Sequence, residues 1–399
     1  MVTAEHAFLS RFEAAATDRS LLCFAPSALE AALERLPSAE DGPRLVILLP
    51  AHNESANIEL ALDSLENQSR RPDLIAVITD NCTDDTEALV LARGGAVVAP
   101  SIGNLDKKAG ALNQAMQVVL PRLQAMDAVM VMDADSALDP RFIEGALRQL
   151  GQPLGSRSGT KVIGGVGGTF RGGRGGGFVG MLQRNEYARY ARDVRRLKGR
   201  VLVLTGTATI FSVSALRAVI DARGSGRLPR RQPQVYDTTV LTEDNELTLA
   251  LLHLGYAILS PSQCLLETEV MTTWGDLWRQ RVRWKRGALE NLADYGLTRI
   301  TARYWGRQLL THLGVLVTAA YLGTIVWSLS VHGRIDLHPI WLALTAIFCL
   351  ERVVTVRERG TAQMVLASLL LVEMAFDIYL QAAQGKAFLD TITRTERKW

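Results

Sequence analysis

Short, predominantly apolar runs recur between residues 45 and 132, and each is separated from the next by a segment with a helical pattern. Leu45–Leu49, Leu74–Thr79 and Ala128–Met132 are the clearest of these runs. A short apolar run between turns is typical of a strand buried on both faces. Because these strands alternate with helices, the sequence predicts an α/β fold whose mostly parallel sheet is flanked by helices.

Polar side chains follow these three runs at the point where each predicted strand ends. Asn53 and Glu54 come after the first run, Asp80 after the second, and Asp133 and Asp135 after the third. In an open parallel sheet, ligands bind beyond the carboxyl ends of the strands. We therefore expect these polar groups to converge on one edge of the sheet and to form a binding site there.

The third run ends on two acids that are one residue apart. Successive side chains of a strand alternate faces, so Asp133 and Asp135 are predicted to point to the same side. Two like charges so close repel each other unless a cation lies between them. One interpretation is a Mg²⁺ or Mn²⁺ site that also binds a diphosphate. The other is an acid pair that stabilises the turn before Pro140.

A second acidic motif, Thr242-Glu243-Asp244, lies at the start of the predicted helix Thr242–Leu252. Acids in the first turn of a helix ordinarily stabilise the helix dipole. The functional alternative is a general base, which must come within hydrogen-bond distance of the hydroxyl that it deprotonates. The motif alone leaves both interpretations open.

A third motif lies on the predicted helix Asp276–Leu292. Gln280, Arg283 and Trp284 occupy positions i, i+3 and i+4, so they share one helix face. An indole ring can stack on a sugar, and a guanidinium group can bind a diphosphate. The alternative, which is compatible with the first, is a basic amphipathic helix at a membrane surface, with Trp274 also at the interface.

Composition disfavours several classes of protein. The four cysteines form no CxxC pair, which argues against a zinc site and against a disulfide framework. The net charge of +3 is too small to indicate nucleic-acid binding by itself. The glycine-dense segment Gly155–Gly180 contains no GxxxxGK[ST] motif, so no P-loop is expected.

Three apolar segments follow residue 300. Leu309–Val331 is long enough to span a bilayer, and 338–356 is a second candidate although two charged residues interrupt it. The segment 361–383 is predicted to lie in the membrane interface, because a third span would place the basic C-terminus outside. The second and third segments could alternatively be buried core helices. The same rule predicts that residues 1–305 are cytoplasmic, and no signal-peptide pattern precedes them.

The order of the motifs resembles that of membrane-associated family 2 glycosyltransferases, such as the cellulose, hyaluronan, chitin and poly-N-acetylglucosamine synthases. The resemblance covers roughly residues 44–300, and the succession DxD, TED and QxxRW is its most specific part. It implies a GT-A fold, a nucleotide-sugar donor expected to carry UDP, a divalent metal ion and an inverting displacement. Its motifs are Pro50-Ala51-His52-Asn53-Glu54, Asp80-Asn81, Lys107…Asn113, Asp133-Ala134-Asp135, Thr242-Glu243-Asp244 and Gln280-x-x-Arg283-Trp284.

The resemblance also implies a role for each of these residues. Asp244 is expected to be the general base, and Asp135 together with Asp133 is expected to bind the metal ion. The residues expected to bind the donor are Pro50, Asn53, Glu54, Asp80, Lys107 and Asp133. The residues expected to bind the acceptor and the diphosphate are Thr205, Gly206, Glu243, Gln280, Arg283 and Trp284.

The sequence therefore predicts a helical extension (1–43), a catalytic domain (44–300) and a membrane region (301–399). The predicted function is transfer of a sugar to a glycan, lipid-linked or protein hydroxyl at a membrane. The polymer synthases usually have transmembrane helices before the catalytic domain as well, and none is predicted here. Processive polysaccharide synthesis with partner subunits is therefore the alternative, followed by a non-catalytic membrane sensor of nucleotide sugars. A nucleotidyltransferase is disfavoured because Pro50–Glu54 lacks a glycine-rich phosphate loop.

Overall fold

The computed structural model describes residues 27–38, 42–156, 159–229, 232–334 and 339–396. The chain divides into two compact units. Among the described residues, unit one comprises 27–170 and Val194–Thr268, and unit two comprises Arg171–Asp193 and 269–396. Most of the predicted N-terminal extension lies outside the described residues, and the bounds of the three predicted domains stay predictions.

The strands form one large sheet and one small sheet. They are β1 Leu45–Ala51, β2 Leu74–Thr79, β3 Val97–Val98, β4 Ala128–Met132, β5 Ser136–Leu138, β6 Pro153–Ser156, β7 Gly159–Gly167, β8 Thr169–Gly172, β9 Ala208–Ser212, β10 Ala257–Leu259 and β11 Leu265–Thr268. The large sheet has the order β10-β7-β9-β4-β1-β2-β3, with β6 paired to β7, and the small sheet has the order β5-β11-β8.

The centre of the large sheet is parallel. β1 pairs in parallel with both β2 and β4, so that Ala51 lies opposite Thr79 and Leu48 lies opposite Val131. Only further along the order does β9 run antiparallel to β4 and β7. The carboxyl ends of β1, β2 and β4 therefore meet at one edge, and the predicted mostly parallel α/β sheet is confirmed.

The helices are α1 Ser27–Leu33, α2 Ile58–Glu66, α3 Thr86–Arg93, α4 Lys107–Val119, α5 Phe142–Gln149, α6 Gly177–Arg196, α7 Val213–Gly224, α8 Glu243–His253, α9 Trp274–Tyr295, α10 Ala302–His332, α11 Pro339–Val356, α12 Thr361–Ser368 and α13 Leu370–Thr393. Helices α2 and α3 each connect neighbouring strands of the sheet, and α4 connects β3 to β4 on the other side of β1 and β2. Strands and helices therefore alternate as the sequence pattern predicts.

The core of unit one explains why its strands are almost uniformly apolar. Ile47 and Leu49 of β1 pack with Met130 and Met132 of β4 in one hydrophobic cluster. Leu48, which points to the other face of β1, is equally buried. Both faces of the central strands are therefore covered, and an alternating polar pattern would have exposed polar groups to an apolar interior.

Unit two is predominantly helical. One hydrophobic cluster joins Val179 and Leu182 of α6 to Leu277 of α9, Leu366 of α12 and Phe376 of α13. In the part of the chain that the structure describes, α10 is the one helix that is long and apolar enough to cross a membrane. Helices α12 and α13 together meet the same requirement as a broken span that is bent by 79°.

The predicted spans can be placed on these helices. The first predicted span, 309–331, lies within α10, where Leu309 and Trp327 are exposed. The second, 338–356, corresponds to α11, and its insertion into a bilayer stays a prediction. The third, 361–383, covers the bent pair α12 and α13, and its interfacial position also stays a prediction.

Candidate active site

The end of β1 leads into a tight loop. Asn53 adopts a left-handed conformation (φ 57°), and its side-chain oxygen accepts a hydrogen bond of 2.8 Å from the Thr83 amide. The Glu54 amide donates to the hydroxyl of Thr86 at 2.8 Å. Pro50 lies in β1 and is partly exposed. The loop therefore joins the ends of β1 and β2, and Asn53 and Glu54 lie at the predicted sheet edge.

Asp80, which follows β2, is buried in a network of hydrogen bonds. Its Oδ1 atom accepts from the hydroxyl of Ser101 (2.5 Å) and from the amide of Asn104 (2.8 Å). The same Asn104 amide donates to the carbonyl oxygen of Lys107 at 2.7 Å. Gly110 makes this possible, because a Cβ atom there would lie 2.0 Å from the Asn104 side-chain oxygen. Asn104 thus fixes Asp80 to the first turn of α4.

The acid pair lies just beyond β4. The strand ends at Met132, and the Ser136 amide donates to the Asp133 carbonyl at 3.2 Å, so the pair occupies a tight turn. Asp133 and Asp135 are partly exposed, whereas the residue between them is buried. The side-chain hydroxyl of Ser136 donates to Asp135 at 3.0 Å. The turn interpretation is therefore compatible with the ligand-site interpretation, because the turn leaves both carboxyl groups partly exposed.

Lys108 places a positive charge against Asp133, the first acid of the pair. Its ammonium group forms an ion pair with Asp133, donates to the Gly206 carbonyl at 3.3 Å and lies 3.6 Å from Glu243. Burial lowers the pKa of Lys108, but Asp133 and Glu243 outweigh burial and keep that pKa above its usual value. The resemblance points to Lys107, which is exposed and adopts a left-handed conformation (φ 53°). Lys108 was not predicted, and the donor-binding role of Lys107 stays a prediction.

The helical phase of α4 identifies Lys108. Ala111, Leu112 and Ala115 are fully buried and lie three, four and seven residues after Lys108. They form the face of α4 that packs on the sheet, and Lys108 extends that face to the strand ends. Counting from Lys107 also gives two buried residues, Gly110 and Ala111, so the difference lies at the seventh position, where Gln114 is only partly buried.

Asp244 is held by two backbone amides. The Gly206 amide donates to one carboxylate oxygen at 2.9 Å, and the Asn245 amide donates to the other at 2.8 Å. Burial raises the pKa of Asp244 to about 6, and Glu243 adds to the increase while Lys108 and the two amides oppose it. Burial likewise raises the pKa of Asp133 to about 6, against the effect of Lys108. Asp244 is therefore mostly ionised at neutral pH, and its pKa lies close enough to neutral pH for the carboxylate to accept a proton.

The loop before β9 brings the two acidic motifs together. Gly206 donates its backbone amide to Asp244, and its carbonyl accepts a hydrogen bond from Lys108. Thr205 lies beside it, and its carbonyl accepts a hydrogen bond of 2.8 Å from the hydroxyl of Thr209. A pocket lined by these residues also includes Glu243. Within unit one, therefore, the predicted residues Asp133, Thr205, Gly206, Glu243 and Asp244 form one cluster.

Tyr236 lines the same pocket and was not predicted. Its backbone is fixed by Asn113 of α4, whose side-chain amide donates to the Tyr236 carbonyl at 2.8 Å and accepts from the Tyr236 amide at 2.9 Å. Burial raises the pKa of Tyr236, and nearby carboxylates including Glu243 and Asp244 add to the increase. The phenol therefore stays protonated beside the acids. The Lys107…Asn113 motif contains the signal, since a buried asparagine requires hydrogen-bond partners.

The QxxRW motif belongs to unit two. Arg281, inside the motif, is buried and donates to Gln280 at 2.6 Å and to Glu186 at 2.8 Å. Its guanidinium carbon lies 4.6 Å from the ring centre of Trp284. Arg281 was not predicted, and it orients two of the three residues that were. Arg283, the third, is partly exposed.

The residues at the acidic edge fit a hard divalent ion that is bound together with a diphosphate. Mg²⁺ prefers oxygen ligands and commonly takes one or two carboxylates together with substrate phosphates. Asp133 and Asp135 provide such carboxylates. Among the residues that the structure describes, no group of three or more His, Cys, Asp and Glu side chains is arranged to hold a metal ion. The two carboxylates would therefore share the ion with the diphosphate.

The same architecture is found in a known sugar-transferring enzyme. The mannosyltransferase PcManGT from Pyrobaculum calidifontis, solved in complex with GDP-Man and Mn²⁺, aligns with a TM-score of 0.57 and 15% identity, covering 98% of this chain and 99% of that one. At this identity the likeness shows the fold alone. The chain therefore has a GT-A fold, as the resemblance implies.

Comparisons of sequence define the family. The model described as "Glycosyl transferase family group 2" matches residues 128–374, which is more than half of the chain. The chain belongs to this family and is a glycosyltransferase.

Two curated relatives are poly-beta-1,6-N-acetyl-D-glucosamine synthases. That of Staphylococcus aureus (strain COL) is 27% identical over 293 residues, covering 70% of this chain and 64% of the synthase. That of Staphylococcus epidermidis is 26% identical over 253 residues, covering 61% and 54%. The chain thus spans less than two thirds of the length of these relatives.

Proposed function

We propose that the chain is a metal-dependent inverting glycosyltransferase that moves a sugar from a nucleoside diphosphate to an acceptor hydroxyl. The nucleoside diphosphate that we expect is UDP. The observation that supports this most directly is the connection between the two acidic motifs. Lys108 binds Asp133 and the Gly206 carbonyl, while the Gly206 amide binds Asp244. The backbone of one residue, Gly206, thereby links the carboxylate proposed to bind the diphosphate with the carboxylate proposed to act as the base.

Asp244 is proposed to be the general base. Its two amide donors fix the orientation of the carboxylate, and a pKa of about 6 lets it take a proton at neutral pH. As the acceptor oxygen forms its bond to the anomeric carbon, its proton passes to Asp244. The bond between the anomeric carbon and the diphosphate oxygen breaks, and the electron pair leaves with the nucleoside diphosphate.

The donor is proposed to bind along the edge formed by β1, β2 and β4. Asn53, Glu54 and Asp80 would contact the nucleoside, and Asp133 and Asp135 would hold the metal ion. A bound Mg²⁺ or Mn²⁺ would neutralise charge on the diphosphate as it leaves. Pro50 and Lys107 keep their proposed donor-binding roles.

The acceptor is proposed to reach Asp244 from the side of Thr205, Gly206 and Glu243. Gln280, Arg283 and Trp284 are proposed to contact the acceptor and the diphosphate. Arg281 supports this proposal, because its contacts with Gln280 and Trp284 fix those side chains on α9.

The protein is proposed to be attached to a membrane through α10, with the catalytic part on the cytoplasmic side. Support comes from the length and apolar character of α10 and from Arg299, Arg303 and Arg307 at its N-terminal end. Resistance of the membrane-bound protein to extraction with alkaline carbonate is the expected result. Release into the soluble fraction would contradict the attachment.

Transfer to a growing polysaccharide is a second candidate. It is favoured by the similarity to poly-beta-1,6-N-acetyl-D-glucosamine synthases, although the chain covers 64% of their length. Chromatography of the products distinguishes the candidates. A ladder of increasing length would indicate processive extension with or without partner subunits, and one added sugar per acceptor would indicate single transfer.

The proposed function is tested with the purified full chain, a panel of UDP- and GDP-linked sugars, and Mn²⁺ or Mg²⁺. We expect release of nucleoside diphosphate with at least one donor, and loss of that release in EDTA. Asp135→Asn should raise the metal concentration needed for half-maximal release. Binding of UDP without turnover, for every donor and acceptor, would favour the sensor instead.

A further inference from the structure

Lys108 forms an ion pair with the carboxylate group that a divalent ion would bind. Its ammonium group is paired with Asp133, and it is also within reach of the Gly206 carbonyl (3.3 Å) and of Glu243 (3.6 Å). Its side chain is about 30% exposed, so the contact lies at the accessible face of the site and not beneath it. An ammonium ion and a divalent cation cannot both take the same carboxylate oxygen at close range.

The charges around Lys108 are unbalanced. Asp133, Glu243 and Asp244 all act on its ammonium group, and Asp135 acts on Asp133. Asp133, Glu243 and Asp244 therefore share the charge of one lysine, Lys108. A site of this kind attracts a further cation, but the oxygen that the cation would take first is already in an ion pair.

Lys108 has a second position available to it. Its ammonium group has two partners besides Asp133, the Gly206 carbonyl at 3.3 Å and Glu243 at 3.6 Å. Neither of these contacts uses the Asp133 carboxylate, so both are compatible with a divalent ion on Asp133. A lysine ammonium is a compact cation that binds phosphate without a fixed geometry.

We propose that Lys108 competes with the divalent ion for Asp133 and transfers to the diphosphate when donor and metal bind together, so that Lys108 makes metal binding dependent on the nucleotide. This inference rests on the proposed function, since it assumes that Asp133 binds the metal ion. It assigns to Lys108 a positioning role that neither the motifs nor the comparisons give it.

The test measures binding of Mn²⁺ by the full chain from the electron paramagnetic resonance signal of free Mn²⁺, with and without UDP. Lys108→Met removes the charge and keeps a side chain of similar length. Lys107→Met, one residue earlier, removes the same charge without removing the ion pair. Lys108→Arg keeps the charge and serves as the conservative variant.

Competition predicts that Lys108→Met binds Mn²⁺ alone more tightly than the unmodified protein, by about 10-fold for the loss of one adjacent charge. The increase in Mn²⁺ affinity that UDP causes should become smaller, and by reciprocity so should the effect of Mn²⁺ on UDP affinity. Lys107→Met should change the affinity for Mn²⁺ alone much less, and it is compared only without UDP because Lys107 has a proposed donor-binding role. Lys108→Arg should behave like the unmodified protein.

Two results would overturn the inference and are distinguishable from each other. If Lys108→Met binds UDP in the presence of Mn²⁺ but binds Mn²⁺ alone no more tightly than the unmodified protein, Lys108 does not compete and the proposed function stands. If the unmodified protein binds no UDP at any Mn²⁺ concentration, the proposed function fails as well. Because all readouts are binding constants, they do not depend on identifying the sugar or the acceptor.

Discussion

The two units each contain a cluster of acids, and the clusters differ in how those acids are compensated. In unit two, Glu373 has no exposed side-chain area and accepts hydrogen bonds from Asn185 (2.8 Å), Arg189 (2.6 Å) and Arg352 (2.7 Å). Asp377 pairs with the same two arginines. Two acids thus meet two guanidinium groups, and the charges within this cluster balance.

In unit one, Lys108 faces Asp133, Glu243 and Asp244 together. Repulsion between acids and removal from water raise the pKa of Asp133 and Asp244 to about 6 each. Strongly raised carboxyl pKa values are typical of sites that bind or react, whereas a balanced buried network holds helices in place. The acids of unit one therefore have the raised pKa values that are typical of a ligand-binding or reactive site, whereas the acids of unit two are paired with an equal number of arginines.

The largest effect is expected at Asp244. Asp244→Asn removes the proton acceptor but keeps the shape of the side chain, so the turnover number should fall by about 10³-fold, within the range for loss of a general base. The measurement is release of nucleoside diphosphate at saturating donor and metal.

Stability provides the control for this variant. Burial makes the ionised form of Asp244 unfavourable in the folded protein, since its pKa of about 6 lies above the usual 3.8. The neutral asparagine removes that unfavourable charge, but its NH₂ group cannot accept one of the two backbone hydrogen bonds, so the two effects oppose each other and the thermal midpoint should change little. A variant that keeps its activity would exclude Asp244 as the base, and one that loses both activity and UDP binding would give it a structural role.

The next effect is expected in the balanced cluster and on stability. Glu373→Gln leaves Arg189 and Arg352 without their buried counter-charge, which should destabilise the protein by about 3 kcal/mol. Thermal unfolding in detergent measures this. Asp377→Asn is the matched control, because Asp377 is 34% exposed and its loss should cost less than about 1 kcal/mol. Equal midpoints for the two variants would mean that the cluster of unit two is not the structural element that its geometry indicates.

The sequence predicts unit one well for those strands whose own residues determine their bounds. The predicted bounds Leu74–Thr79 and Ala128–Met132 agree with the observed β2 and β4. The apolar run itself determines these strands, because a segment with almost no polar side chains must be covered on both faces.

Strand β7 could not be predicted in this way, because its composition reflects neighbours that are distant in sequence. A Cβ atom at Gly164 would lie 2.7 Å from the ring of Tyr256, and one at Gly165 would lie 2.7 Å from Leu204. Large side chains from two other segments therefore require glycine within β7. Glycine is usually depleted in strands, so local propensity argues against the strand that tertiary packing produces.

The residues of the candidate site divide in the same way, into those that the local sequence reveals and those that depend on distant neighbours. Asp133 and Asp244 can be found by motif, because carboxylates at a strand end and at a helix start are visible in the sequence. Lys108, Tyr236 and Arg281 were missed because their importance depends on which face of a helix or loop is buried. Helical phase identifies Lys108, but the hydrogen bonds that fix Tyr236 join residues that are more than a hundred positions apart.

A smaller effect is expected from Gly110, whose substitution separates Asp80 from α4. Gly110→Ala would place Cβ 2.0 Å from the Asn104 oxygen, so Asn104 must leave Asp80 and the Lys107 carbonyl. Displacing one buried side chain in this way should cost about 1–3 kcal/mol of stability and weaken UDP binding.

A second glycine variant of unit one tests whether the loss is specific. At Gly224, the last residue of α7, a Cβ atom would approach only Pro233 among the described residues, at 3.7 Å, so Gly224→Ala should be neutral or slightly stabilising. Denaturation and UDP titration of both variants make the comparison. Unchanged UDP affinity in Gly110→Ala would separate Asp80 from the donor site.

The smallest effect is expected from pH, and it tests the imbalance of charge in unit one directly. Asp244 must be ionised to act as a base, and its pKa of about 6 predicts that the turnover number falls to about half its plateau at pH 6 and continues to fall at lower pH. Glu243 raises this pKa, whereas Lys108 and the two amides lower it.

Lys108→Met should therefore move the acidic limb of the pH profile to higher pH. The profile is measured with saturating donor and Mn²⁺, so that Asp133 stays occupied. Lys107→Met should leave the limb nearly unchanged. A limb that does not move in Lys108→Met would mean that the ammonium group has no electrostatic effect on the base, and the cluster would then contain two independent acidic sites.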